Sequence, residues 1–194
     1  MEQALRFLID TTFGLFTYSF LARFMMQALR APFRNPVGPA VMALTDWAVK
    51  PTRRIVPGLR GVDWATLLLA FLSQWLWLIV LAALSARGFN GALVPMLALF
   101  AMIELVKSVI WILIVAVFVQ AILSWVAPDG PLSGLLNALT FRFLAPIRRL
   151  IPPIGGTLDL SALIFIVVAQ LILMLPVHWL EVLVSQLFQA SLAG

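Results

Sequence analysis

Apolar residues run through this chain in long stretches, and charged residues mark where each stretch stops. Trp64 to Ala86 is uncharged between Asp63 and Arg87, Ser108 to Pro128 between Lys107 and Asp129, and Leu160 to Leu180 between Asp159 and Glu181. A helix needs about 20 apolar residues to cross roughly 30 Å of hydrocarbon, so each run predicts a transmembrane helix. A fourth span, about residues 7–29, holds Asp10 and Arg23. Those two charges lie about 20 Å apart along a helix, each near a membrane boundary, where an arginine snorkels and an acid is tolerated. Ala92 to Ile103 is apolar but stops at Glu104, too short to cross. It is expected to extend the third span or to lie at the interface, with Glu104 and Lys107 paired one turn apart. The tail after Glu181 is expected to continue the fourth helix.

Comparing the chain with itself is the most informative step. Residues 44–57 read LTDWAVKPTRRIVP and residues 139–152 read LTFRFLAPIRRLIP. Leu-Thr, a proline, x-Arg-Arg, two aliphatics and a second proline recur 95 positions apart. Both copies continue through a glycine (Gly61, Gly156) to an acid (Asp63, Asp159) that opens the next span, and Gln74 and Gln170 each follow their acid by 11 residues. The fold expected is therefore an all-α membrane protein, with four transmembrane helices arranged as two helix–amphipathic loop–helix repeats, residues 1–90 and 91–194. Two spans per unit make the repeats parallel rather than inverted.

The connecting loops carry a helical pattern of their own. Leu132, Leu135, Leu136, Leu139 and Phe143 fall on one face of a helix, and Val41, Leu44 and Ala48 do so more weakly. Such helices are expected in the membrane interface, ending at Pro51 and Pro146 because proline lacks the N–H that a helix needs.

Composition agrees: 63% of the residues are hydrophobic and 11% charged, against about a quarter charged in a soluble domain. The net charge of +5 could suggest nucleic acid, but the basic residues cluster in two loops. Arg30, Arg34, Lys50, Arg53, Arg54 and Arg60 follow the first span and Arg142, Arg148 and Arg149 the third, leaving Arg6, Arg87 and Lys107 on the other side. That asymmetry places both long loops in the cytoplasm and both termini outside, with no role for nucleic acid. Trp64, Trp125 and Trp179 fall at span ends, whereas Trp75 and Trp77 lie mid-span as packing residues. The absence of cysteine excludes disulfides and thiol chemistry. The first ten residues lack a basic-then-apolar pattern, so no cleaved signal peptide is expected.

The duplicated Leu-Thr, Pro-x-Arg-Arg, Pro, Gly and acid, with LARFMMQ and RNP in the first unit and ILSW in the second, resembles the YggT family of bacterial inner-membrane proteins. The chain departs from the family where an acid and Pro usually follow the Thr: Asp46 keeps the acid but Trp47 replaces Pro, and Phe141-Arg142 replaces both. The resemblance implies a non-catalytic inner-membrane protein tied to osmotic or envelope-stress tolerance or ion homeostasis. Plastid relatives linked to cytochrome b6 haem maturation imply an assembly or scaffold factor instead. A small channel is a third reading.

Candidate chemistry is sparse. No nucleophile–base set, phosphate-cradling loop or metal-ligand cluster stands out, and neither an enzyme nor a cofactor is expected. His178 reads as a packed or interfacial side chain or, with a partner's ligand, as a haem ligand. Arg23, Gln74, Gln120 and Gln170 read as interhelical hydrogen-bonding groups or as a polar path. Arg53, Arg54, Arg148 and Arg149 read as topology signals binding anionic lipid headgroups, or as a docking site for membrane-protein partners or a second copy.

Overall fold

The computed structural model describes residues 2–32, 35–59, 61–85, 91–151 and 159–193. Among them the chain forms helices α1 (Glu2–Ala28), α2 (Val37–Ile55), α3 (Trp64–Leu84), α4 (Val94–Val126), α5 (Pro131–Leu150), α6 (Ser161–Ile172) and α7 (His178–Ala193), and no strand. A 3-10 turn at Gly91–Leu93 leads into α4, and a π turn at Leu173–Val177 joins α6 to α7. Pro176 lies in that π turn. It has no N–H, and its ring crowds the turn before it; widening the turn lets the helix continue. Expectations that rest on Arg34, Arg60, Arg87, Pro152 and Gly156 lie outside the described residues.

Three stretches are long and apolar enough to cross a membrane: Trp64–Leu84, Val94–Val126 and Ser161–Leu187. Their outward faces are apolar at helical spacing. Leu68, Leu72 and Leu76 are exposed on α3, Trp111, Val115, Phe118 and Ile122 on α4, and Leu163, Val167 and Leu171 on α6. Stripes of this size would aggregate in water; facing lipid, they are what a span requires. The protein is a membrane protein. Helix α1 has 27 residues, about 40 Å, but Glu2, Arg6, Asp10 and Arg23 keep it below the apolarity of the other three.

Helix α1 packs along α3, α3 against α4, and α4 against α6 and α7. The register between α1 and α3 is antiparallel. Asp10 meets Trp77, whose indole donates at 2.8 Å, and Thr17 donates to Ser73 at 2.9 Å. Small buried residues (Ala65, Thr66 and Ala70 on α3, Ala101 and Ser108 on α4) let the backbones approach, the usual means of packing helices where no hydrophobic effect acts. Helix α2 lies on α1 and α3, and α5 lies on α4 and α6. Helix α2 buries Val41, Thr45, Ala48 and Val49. Helix α5 buries Leu135, Leu136, Leu139, Thr140 and Leu144.

The structure corrects the expected helix ends. Both α2 and α5 pass through the first proline of the motif, Pro51 and Pro146, and end at Ile55 and Leu150. At Pro51 one backbone bond is lost, and the Thr52 hydroxyl donates to Ala48 O at 2.8 Å within the loosened turn. The second proline is the stop. A residue before proline is pushed out of the helical region, and Val56 (φ −116°, ψ 90°) and Ile151 (φ −129°, ψ 92°) are both extended. The Arg pairs thus occupy the last helical turn, where the helix dipole favours cations. Residues 94–103 belong to α4, a helix of 33 residues, so the segment before Glu104 extends the third apolar helix.

Candidate functional site

The polar residues of the bundle collect in two layers near the loop end and one cluster at the other end. In the layer nearest the loops, Asp63 stands at the start of α3. Arg53, from the last turn of α2, donates through Nε at 3.1 Å and through Nη2 to Asp63 Oδ2, which the Thr66 hydroxyl also reaches. Asp63 is 1% exposed, and among the described residues its Oδ1 has no partner. Burial pushes its carboxyl up, but the Arg53 and Thr66 bonds outweigh burial and hold it below the usual value. Ninety-five residues on, Arg148 donates to Asp159 Oδ2 at 2.9 Å from Nε and 2.7 Å from Nη2. Ser161 donates to Oδ1 from its N–H at 2.9 Å and from its hydroxyl. Burial again raises this carboxyl, and Ser161 and Arg148 together bring it below normal.

The second layer lies deeper. Arg23, buried on α1, donates from Nη1 to the Thr45 hydroxyl at 2.6 Å and to Asp46 Oδ1 at 2.7 Å. The Thr45 hydroxyl in turn donates a hydrogen bond to Val41 O at 2.6 Å. Lys50 bonds the other Asp46 oxygen at 2.7 Å. These two cations hold the Asp46 carboxyl below its usual value, Lys50 contributing most. On the other side of the bundle, Thr140 bonds the side-chain amide of Gln120 and the carbonyl of Leu136, the latter at 2.8 Å. Gln120 Nε2 also donates to Asn137 at 3.3 Å. Thr45 and Thr140 are both fully buried. The threonine of each Leu-Thr pair is therefore the seat for a polar side chain from the neighbouring long helix, Arg23 in one half and Gln120 in the other.

At the opposite end, Lys107 on α4 joins Glu104 at 2.9 Å and Glu181 on α7 at 2.7 Å. The pairing of Glu104 with Lys107 had been expected from spacing; the bridge to Glu181 had not. His178 is exposed, its Nδ1 3.6 Å from Glu181 Oε2. Trp75 and Trp77, expected to pack, also donate hydrogen bonds, to Val94 O at 3.0 Å and to Asp10.

The residues singled out from the sequence thus separate. Arg53 and Arg148 are bound to acids, and Arg54 and Arg149 are exposed with no acidic partner among the described residues. Arg23 and Gln120 sit at matching threonines, while Gln74, buried on α3, and Gln170, half-buried on α6, lie outside these layers. Missed from the sequence were the acids as partners of the first arginine of each pair. Their signal was present, since Asp63 and Asp159 recur with the motif. Among the described residues no three His, Asp or Glu side chains are grouped to hold a metal ion.

Comparison with known proteins places these features in a family. The model of the family described as CCB3/YggT matches residues 2–84 and 99–180. An uncharacterized protein in the proC 3′ region of Vibrio alginolyticus is 35% identical over 168 residues, 86% of this chain and 90% of its own length. An uncharacterized protein of Pseudomonas aeruginosa is 32% identical over 194 residues, 99% of this chain and 98% of its own. The uncharacterized protein YggT of Escherichia coli is 31% identical over 169 residues, 87% of this chain and 86% of its own. No solved structure matches.

Proposed function

The chain belongs to the CCB3/YggT family, and from that premise we propose a non-catalytic, four-span protein of the bacterial inner membrane that supports envelope integrity and ion balance under osmotic load. Its two parallel repeats, 1–90 and 91–194, place both arginine-rich loops in the cytoplasm and both termini outside. Supporting the duplication, the family model matches two successive stretches, each with one copy of the motif. Supporting α1 as the fourth span, its two intramembrane charged side chains have partners within the protein: Arg23 donates to Thr45 and Asp46, and Asp10 accepts from the Trp77 indole. Helix α1 also runs antiparallel along α3, which itself qualifies as a span.

One observation carries the non-catalytic reading. The carboxylates of Asp46, Asp63 and Asp159 are bound to cations within the fold, which hold them ionised and below their usual pKa. A general acid or base needs the reverse, a pKa tuned toward the working pH and a free approach to substrate. These groups act as clasps between helices. The osmotic role follows from the family resemblance, and deletion of the gene tests it. Growth should fail after hyperosmotic shift, return with the wild-type chain, and return less with a chain carrying Asp63→Ala and Asp159→Ala. No growth defect would reject the role. Ion flux from purified protein in liposomes would make it a channel, and specific membrane proteins crosslinked in native membranes would make it a scaffold.

A further inference from the structure

Three guanidinium groups converge at the loop end of the bundle. Arg30 follows α1, and Arg142 and Arg149 stand on α5; with Gln27, Gly61 and Phe141 they line a cleft of about 810 Å³ between the end of α1, the turn before α3, and α5. Among the described residues no acid lines the cleft and none of the three arginines has an ion-pair partner. Three acids at this end are taken, Asp46 by Arg23 and Lys50, Asp63 by Arg53 and Asp159 by Arg148, and Asp129, before α5, does not line the cleft. Three uncompensated cations at one cleft repel each other, and an anion relieves that repulsion.

Arg30 adds an independent sign. Its φ is +54°, in the left-handed region. Arg30 N–H bonds Gln27 O at 3.1 Å and Ala31 N–H bonds Met26 O at 2.7 Å, the two bonds of a helix-closing turn whose left-handed residue is usually glycine. An arginine there strains the backbone, and such strain collects where a side chain is needed for function. Phe141 points the same way. It stands where the first copy of the motif has Asp46, and an acid at that position would add a negative charge to the cleft.

The remaining lining includes Leu29, Ala138, Ala145 and Pro146, so the complementary ligand has an anionic head and an apolar body. We propose that this cleft binds the phosphate headgroup of an anionic phospholipid. The exposed forks of Arg142 and Arg149 grip the phosphate oxygens, Arg30 closes on it from the end of α1, and the acyl chains leave over Phe141. This deepens the lipid-binding reading of the Arg pairs and relocates it, since of those four residues only Arg149 lines the cleft. It rests on the membrane character of the chain and not on the osmotic role, so either can fail alone.

The test uses the full-length protein in a non-ionic detergent, with thermal unfolding and native mass spectrometry as readouts. Phosphatidylglycerol should raise the melting temperature and remain bound, whereas phosphatidylcholine and inorganic phosphate should not. Arg142→Gln with Arg149→Gln should weaken phosphatidylglycerol binding by about tenfold or more, while Arg54→Gln, an equally exposed charge outside the cleft, should change it by less than about twofold. Arg30→Gly keeps the proposal falsifiable should the double variant fold poorly. It should melt higher than wild type without lipid and yet bind phosphatidylglycerol more weakly. Equal losses from Arg54→Gln and the double variant, or unchanged binding in Arg30→Gly, would overturn the site. Inorganic phosphate competing at the same concentration as the lipid would overturn the lipid and leave a site for soluble phosphate.

Discussion

In the first half of the molecule Arg53 reaches Asp63 where the carboxylate side chain is 1% exposed; in the second Arg148 reaches Asp159, whose side chain is still 33% exposed. One layer deeper the contrast sharpens. Arg23, Asp46 and Lys50 form a charged chain on Thr45, while Thr140 meets the neutral side chain of Gln120, itself bonded to Asn137. The geometry of each clasp is repeated and its chemistry is not. Asp63 is desolvated while Arg53 stays 41% exposed, so removing Arg53 strands a buried carboxylate, which is costly; losing one partner of the part-exposed second pair, or a neutral amide–hydroxyl contact, costs less. The two halves should therefore differ in how much they depend on their clasps.

The largest effect is expected at the buried acid. Arg53→Ala, which strands the buried Asp63, should lower unfolding stability by about 3 kcal/mol, and Arg148→Ala by about 1 kcal/mol, measured by denaturation of the purified protein in detergent. Equal losses would remove the distinction between the halves. Next in size, Arg23→Gln should cost about 1–2 kcal/mol, since it leaves Asp46 with Lys50 alone. Gln120→Arg should destabilise comparably by placing a cation beside Thr140, where the following residue is Phe141 in place of Asp46 of the first copy, and adding Phe141→Asp should recover most of the loss. A double variant no better than Gln120→Arg alone would show that the two layers are not interchangeable.

The pH response gives a smaller signal. The carboxyls of Asp46, Asp63 and Asp159 are all held below their ordinary value of 3.8. The unfolded chain therefore binds protons at higher pH than the folded one, and stability falls as pH falls. The contribution is complete at neutral pH, begins to decline near pH 5 and is lost as the folded-state values are passed. Asp63→Ala should flatten that acid limb more than Asp159→Ala does. Smallest of all, Arg30→Gly should add about 0.5–1 kcal/mol by relieving the left-handed strain.

Much of this was legible in the sequence because the signals were long. Uncharged runs bounded by charges mark α3, the membrane part of α4 and the α6–α7 helix, and a motif repeated at 95 residues marks corresponding elements. The helix ends were misplaced at Pro51 and Pro146 because a single proline inside a helix removes only one backbone bond, whereas Val56 and Ile151 are driven out of the helix by the proline that follows each. The clasps were half legible. Arg23 and Gln120 were singled out as interhelical hydrogen-bonding groups, but that each rests on the threonine of the Leu-Thr pair depends on how α2 and α5 dock. The arginine pairs looked alike in sequence, yet the helical turn of α2 aims Arg53 at Asp63 and leaves Arg54 outside. Arg30 carried no local sign, since its left-handed backbone follows from the turn that closes α1.

The central claim, two units oriented alike in the membrane with α1 as a true span, can be tested by cysteine accessibility, because the native chain has no cysteine. Single cysteines at Gln3, Ile55 and Leu150, all exposed, would be challenged with an impermeant thiol reagent in intact cells and after lysis. The account predicts labelling of Gln3→Cys in intact cells, and protection of Ile55→Cys and Leu150→Cys until the membrane is opened. Gln3→Cys and Ile55→Cys labelled on the same side would show that α1 does not cross, and Ile55→Cys and Leu150→Cys on opposite sides would show that the two units are not parallel.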